Sequence, residues 1–314
     1  MNSFDEKREF TIEILKNFIK DKDKDIDIDS YHIGKGYTAN VWKISDELCL
    51  KVGTHNDIPD IPETFKECEN LSVPLNTFHS KSGRYIGTIQ RLLNLYSLQD
   101  LIKRGIKLPE KQATEIFFDV IKGLHIIHTN GFVHRDFYPG NIMLTKKEKR
   151  IMAVIIDFDE MQPITPRTKA CFRYNGYQAP EIVFDNAMYD DKSEMFAFGV
   201  IAWELIFGKC PFGGYDFFGK VIESSWDKYA ESSDTYNNNV KNALKLLQFY
   251  LRQKSGVSEE CENLLCSLLE PDRDKRITAK QALEHPFFKK ILKNESRNVS
   301  YENKNKNISD IERE

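Results

Sequence analysis

The stretch FVHRDFYPGN, Phe132 to Asn141, sets Asp136 and Asn141 beside apolar residues, and sixteen residues after Asn141 the chain reads IIDFDE, Ile155 to Glu160, around Asp157. Two carboxylates and an amide are thereby fixed at short spacing next to strand-prone runs. Phosphoryl transfer from a nucleotide requires such a set. One carboxylate faces the attacking hydroxyl, while the amide and the second carboxylate take Mg²⁺. Acids that merely cap turns would not fall into this order together.

The surrounding composition agrees with a folded, water-soluble chain. At 314 residues it can form one large or two small domains, and 40% hydrophobic with 30% charged residues is ordinary for a globular protein. A net charge of −3 argues against nucleic-acid binding through bulk positive potential. The six cysteines (Cys49, Cys68, Cys171, Cys210, Cys261 and Cys266) form no C-x-x-C pair, so reduced thiols and a cytoplasmic setting are expected. Should the source be a bacterial pathogen, delivery into a host cell is the alternative. The start, MNSFDEKREF, lacks the layout of a signal peptide. The longest apolar run, Met195 to Phe207, has 13 residues and contains Glu204. That is too short to span a bilayer and reads as a buried core helix, so no transmembrane segment is expected.

Organisation follows from periodicity. Phe10, Ile14, Leu15, Phe18 and Ile19 lie at helical spacing, so residues 1–29 read as an amphipathic helix and a charged connector, DKDKDIDIDS. Tyr31 to Gly53 alternates β-prone runs with turn residues. From Pro109 the period becomes 3.6, with Ile116, Phe117, Val120, Ile121, Leu124 and Ile127 in one stripe and Gly131 past its end. Residues 291–314 carry five asparagines and few large apolar groups, and disorder is expected there. The domain reading is a β-rich lobe over 30–93, a larger helical lobe over 94–290, and a tail.

Phe132 to Asn141 and Asp157-Phe-Asp159 resemble the H-R-D-x-x-x-x-N and D-F-G signature of eukaryotic-type protein kinases. Gly34-Lys-Gly36-Tyr-Thr-Ala39-Asn-Val41 resembles the family's glycine-rich loop, with Ala39 at the third glycine, and Leu48-Cys49-Leu50-Lys51 resembles its lysine strand. Tyr177-Gln-Ala179-Pro180-Glu181 matches the A-P-E end of the activation segment, and Ser193 to Gly199 is similar to the S-D-V-W-S-x-G helix. The stretch DRDKRITAKQALEHPFF resembles the last helical motif. In all, the resemblance runs from about Ile33 to Phe288.

What it implies is an α+β, bilobal protein-kinase fold: a small antiparallel β-sheet N-lobe with helix C, and a larger, mainly α-helical C-lobe. ATP and Mg²⁺ are the implied cofactors and a protein is the implied substrate, with hydroxyls of Ser/Thr as acceptors. Asp136 would orient or deprotonate the hydroxyl, and Asn141 and Asp157 would bind Mg²⁺. Lys51 would meet the phosphates, cradled by Gly34 and Gly36. Val41, Cys49 and Met143 would surround the adenine, with Gln90 to Leu93, Leu92 included, as hinge. Lys51 needs a carboxylate partner from a short helix bounded by Pro62 and Pro74. Glu67, four residues before Leu71, fits the family pattern. His134 and Phe158 would stack in the core, and Glu181 would pair with Arg276. Arg135 would receive a phosphate on Thr165, Thr168 or Tyr174, the expected autophosphorylation positions, or else bond backbone or a carboxylate such as Glu160.

Four residues depart from the family. Asp159 replaces the D-F-G glycine, Tyr138 the lysine after the catalytic aspartate, Tyr174 a threonine, and Glu194 an aspartate. H-R-D-F-Y-P-G-N is also similar to the loop of choline and aminoglycoside phosphotransferases, but those lack the A-P-E segment and the Glu181–Arg276 arrangement. A pseudokinase scaffold is the third reading. It normally loses Lys, Asp or Asn at the positions held here by Lys51, Asp136, Asn141 and Asp157.

Overall fold

The protein is represented by a computed structural model that describes residues 3–18, 27–35, 39–54, 60–148, 150–166, 168, 176–184, 189–211 and 256–293. The N-terminal part begins with α1 (Ser3–Phe18) and the one-turn α2 (Ile28–Tyr31). Strands β1 (His32–Lys35), β2 (Ala39–Lys43) and β3 (Leu48–Gly53) follow, then α3 (Glu63–Glu67) and β4 (Leu71–Ser72). With β5 (Asn76–His79) and β6 (Ile86–Arg91) they form an antiparallel five-stranded sheet in the order β1-β2-β3-β6-β5, from which β4 stands apart.

Alternation along β3 divides its side chains between two faces. Leu50 and Val52 are fully buried on one face, where Phe10, Ile14 and Leu15 of α1 pack with Trp42, Tyr85 and Ile89. The amphipathic spacing of the N-terminal residues therefore serves to cover this sheet. Gly87 permits the approach, since a Cβ there would lie 2.7 Å from the Ile14 side chain. Lys51 and Cys49 face the other way, and the register Lys51↔Val41 and Gly53↔Ala39 puts Val41 and Ala39 on that same face.

The C-terminal part is mainly helical. It comprises α4 (Leu98–Lys103), α5 (Glu110–Thr129), α6 (Pro180–Phe184), α7 (Asp191–Phe207), α8 (Glu259–Leu268) and α9 (Ala279–Leu283). The stripe expected on α5 is buried as read, with Gly131 at φ +79° closing the chain beyond it. Helix α7 is buried almost all round, the core helix expected of Met195 to Phe207. Short strands carry the loops between α5 and α6. Strand β7 (Phe132–Val133) pairs with β10 (Gln162–Pro163), while β9 (Arg150–Ile156) runs antiparallel to β8 (Ile142–Lys147) and parallel to β4. The architecture is the bilobal α+β fold that the motifs imply. Helical residues continue to Lys293, so the expected tail begins with helical residues and then passes outside the described ones. No described helix is long and apolar enough to cross a membrane.

Candidate active site

Strand β7 delivers His134, Arg135 and Asp136 from the end of α5, and a 3-10 turn at Pro139–Asn141 returns the chain into β8. Pro139 stands at the first position of that turn, where its missing N–H costs nothing. The turn brings Asn141 back onto Asp136: the amide nitrogen donates to the Asp136 carbonyl at 2.8 Å and to its carboxylate at 3.0 Å. With its nitrogen so engaged the amide presents oxygen, a donor that a hard cation accepts. Gly140 leaves room beside this turn for Tyr138, whose ring a Cβ at that position would strike at 2.5 Å.

Two non-glycine residues here occupy the left-handed region, Arg135 at φ +66° and Asp157 at φ +67°. Each such conformation costs on the order of 1–3 kcal/mol unless its surroundings hold it. Arg135 is held by a fully buried carboxylate. Its N–H donates to Glu194 at 2.8 Å, and the other Glu194 oxygen lies 2.8 Å from His128 Nε2. Glutamate at the family's aspartate position thus joins α7, α5 and the catalytic loop. His134 ties the loop to the end of β9 through the Ile156 carbonyl at 2.8 Å. Its ring packs against Phe158 with centroids 5.1 Å apart and planes tilted by 55°, and Phe65 of α3 lies 6.3 Å from Phe158. Both rings lie in the core as expected of His134 and Phe158, in tilted contact and not stacked.

The lysine side differs from expectation. Lys51 Nζ lies 2.7 Å from Asp157 and 2.7 Å from Asp159. Glu67, nominated from its spacing to Leu71, is exposed at the last turn of a five-residue helix. The physical reason is the helix's length. The chain leaves α3 at Cys68, and Leu71 already belongs to β4, paired with Ile155 of β9. What α3 contributes instead is Phe65, buried against Phe132 and Phe158. Burial lowers the affinity of Lys51 for its proton, but the two carboxylates outweigh this and hold its pKa above the ordinary value.

Of the residues expected to surround a nucleotide, Val41, Cys49 and Gln90 share the sheet face that carries Lys51, while Met143 lies on β8 of another sheet. Cys49 pairs in register with Gln90, its Sγ lies 3.8 Å from the Arg91 carbonyl, and burial pushes its thiol pKa up to about 11. The Leu92 N–H donates to the Glu47 carbonyl at 2.7 Å, fixing the strap that leaves β6. Met143 bridges to Ser97 at the start of α4. Gly34 pairs with Val41, and Gly36 lies outside the described residues, as does Tyr174.

Further out, Arg276 and Glu181 form a bidentate pair at 2.6 and 2.9 Å beneath α6, with the guanidinium 4.9 Å over the Phe196 ring. Asp190 caps α7 and meets Arg273. Tyr177 donates to Glu204 at 2.7 Å, and burial raises the Glu204 carboxyl pKa despite that bond. Arg135 reaches Glu160, bonding its carbonyl at 3.4 Å and pairing with its carboxylate at 3.7 Å, the second of its two expected partnerships. Thr168 is 3% exposed, its hydroxyl donating to the Pro163 carbonyl and accepting from the Thr165 N–H.

Sequence reading missed three features. Asp159 as a partner of Lys51 had a signal, since a carboxylate stood where glycine was expected. The bond from Glu194 to Arg135 had a similar one. Asp119, buried on α5 and clasped by Arg150 at 3.0 and 3.1 Å, had none: its burial, which raises its pKa, depends on β9 lying over it.

The protein kinase domain model matches residues 51–288, so the glycine-bearing hairpin from Gly34 to Val41 precedes the match. The chain is similar to mitogen-activated protein kinase p38b of Drosophila melanogaster, 28% identical over 239 residues, covering 71% of this chain and 64% of the relative. Calcium-dependent protein kinase 3 of Plasmodium berghei is 27% identical over 82% of this chain and 46% of its own. Mitogen-activated protein kinase 13 of Mus musculus is 28% identical over 59% and 52%. The chain therefore spans 46–64% of the length of these relatives.

Proposed function

The chain belongs to the protein kinase family over residues 51–288, and from that premise we propose that it transfers the γ-phosphate of ATP to Ser/Thr hydroxyls of a protein substrate. The observation that carries this is the presence together of Lys51, Asp136, Asn141 and Asp157, bonded as two pairs, Lys51 with Asp157 and Asn141 with Asp136. A binding scaffold without activity has no need of it. In this reading Asp136, positioned by Asn141, takes or orients the proton of the acceptor hydroxyl. Lys51 offers a point charge to the nucleotide phosphates, and Gly34, Ala39, Val41, Cys49 and Met143 form the walls around the nucleotide.

Among the described residues no three His, Cys, Asp or Glu side chains could hold an ion by themselves. Mg²⁺ is commonly held by one or two carboxylates together with substrate phosphates. Asn141 and the partly exposed Asp157 supply oxygen donors of the right kind, and bound Mg²⁺ would neutralise charge between the terminal phosphates. Autophosphorylation, if it accompanies this activity, belongs on Thr165, whose residue is exposed, in preference to the buried Thr168.

The test is incubation with labelled ATP·Mg²⁺ and generic protein, followed by mass spectrometry of acceptor and enzyme. Phosphoserine or phosphothreonine is expected. Transfer only to choline or an aminoglycoside would replace this reading with the small-molecule one. Nucleotide-induced stabilisation without any transfer would leave a scaffold. In the Asp157→Ala variant, Mg²⁺-dependent stabilisation by nucleotide should be lost.

A further inference from the structure

Lysine is a flexible point charge, and an ammonium at the end of four methylenes serves the phosphates only if something fixes it. In this chain the helix that should carry the fixing carboxylate has five residues and leaves Glu67 exposed. Two other carboxylates reach the ammonium at the same distance, 2.7 Å, but they are not equivalent. The Asp157 side chain is 34% exposed and that of Asp159 is 12%, close to the 15% of Lys51 itself. The deeper carboxylate stands at the position where glycine was expected.

Resting on the kinase reading of this site, we propose that Asp159 is the positioning residue for Lys51. It replaces the helix-borne glutamate and leaves the more exposed Asp157 for the divalent cation. The shortness of α3 and the aspartate at 159 are then two halves of one arrangement. The chain after α3 enters β4 early, so the anchor comes from the segment just past β9. Phe158, packed between His134 and Phe65, fixes the backbone on which both carboxylates stand. A glycine at 159 would leave Lys51 with Asp157 alone among the two, and a cation binding there would compete for it.

A double-mutant cycle on the full chain without nucleotide tests the pairing by melting temperature. Asp159→Ala should lower it by about 2–4 °C while Lys51 is present. In the Lys51→Met background the same change should leave it unmoved or raise it, because two carboxylates would otherwise face each other without a cation. Equal lowering in both backgrounds would overturn the pairing. Asp159→Asn, which preserves size, should give the same sign and guards against misfolding in the alanine variant.

Kinetics test the function of the pair. Asp159→Ala should raise the nucleotide KM about ten-fold, whereas Glu67→Ala, at an exposed position on α3, should leave it unchanged. A fall in KM for Asp159→Ala would make Asp159 an obstruction and overturn the proposal, as would a rise only for Glu67→Ala. If the wild-type chain transfers no phosphate, the kinase reading fails, and the melting cycle still decides whether Asp159 holds Lys51.

Discussion

The loop that carries Asp136 and the lysine of β3 are anchored in opposite ways. Beneath the loop the anchors are dry: Glu194 is 0% exposed and Arg276 1%, and each carboxylate there meets fixed backbone or guanidinium groups. At the lysine the anchors are the partly exposed Asp157 and the deeper Asp159 on the segment after β9, beside the short α3, whose one buried residue is Phe65. Low dielectric strengthens the electrostatics of the first set, so Asp136 and Asn141 sit on a buried, hydrogen-bonded platform. Partial exposure weakens the second set and allows Asp157 to exchange partners. The difference assigns positioning to the helical lobe and adjustability to the cleft.

The largest effect that tests this contrast is on chemistry. Asp136→Asn should reduce phosphoryl transfer by about 10²–10⁴-fold while nucleotide binding, followed by thermal shift, stays close to wild type. Retained turnover would remove Asp136 from the mechanism. Next comes the dry anchor itself. Arg276→Met strands Glu181 without its partner and should cost about 3–5 kcal/mol of stability in urea unfolding. Adding Glu181→Gln should recover part of that loss, and no recovery would mean that the pair is not the source.

Smaller, and more local, is Glu194→Gln. The amide can satisfy only some of the bonds to Arg135 and His128, so about 1–3 kcal/mol should be lost. Faster hydrogen exchange at the Arg135 amide would locate the damage, and unchanged exchange would contradict the anchoring role. Smallest of all should be phosphatase treatment. Arg135 already meets Glu160 and Thr168 is buried, so activity should change by less than about two-fold. A large loss would show a phosphate switch and make the helical platform adjustable after all.

Much of the site was legible in the sequence because its residues are close along the chain. Asp136 and Asn141 share one turn, and His134 and Phe158 belong to motifs whose spacing survives any detail of packing. The helices followed for the same reason: the stripe on α5 and the long apolar run within α7 encode burial directly in the sequence pattern. Spacing also named Glu67, wrongly as a partner for Lys51, because four residues to a leucine says nothing about whether the helix extends that far.

Sequence by itself determined which chemical groups the protein has and in what local order they meet: the loop, the lysine strand and the core helices. Only the tertiary structure decided which carboxylates hold Lys51, 106 and 108 residues away along the chain, and which face of the sheet α1 covers. Those outcomes depend on where β4 and β9 pair and on how many turns α3 completes before they do. Long-range ion pairs form between whichever groups packing brings within reach, and local spacing carries no record of that distance.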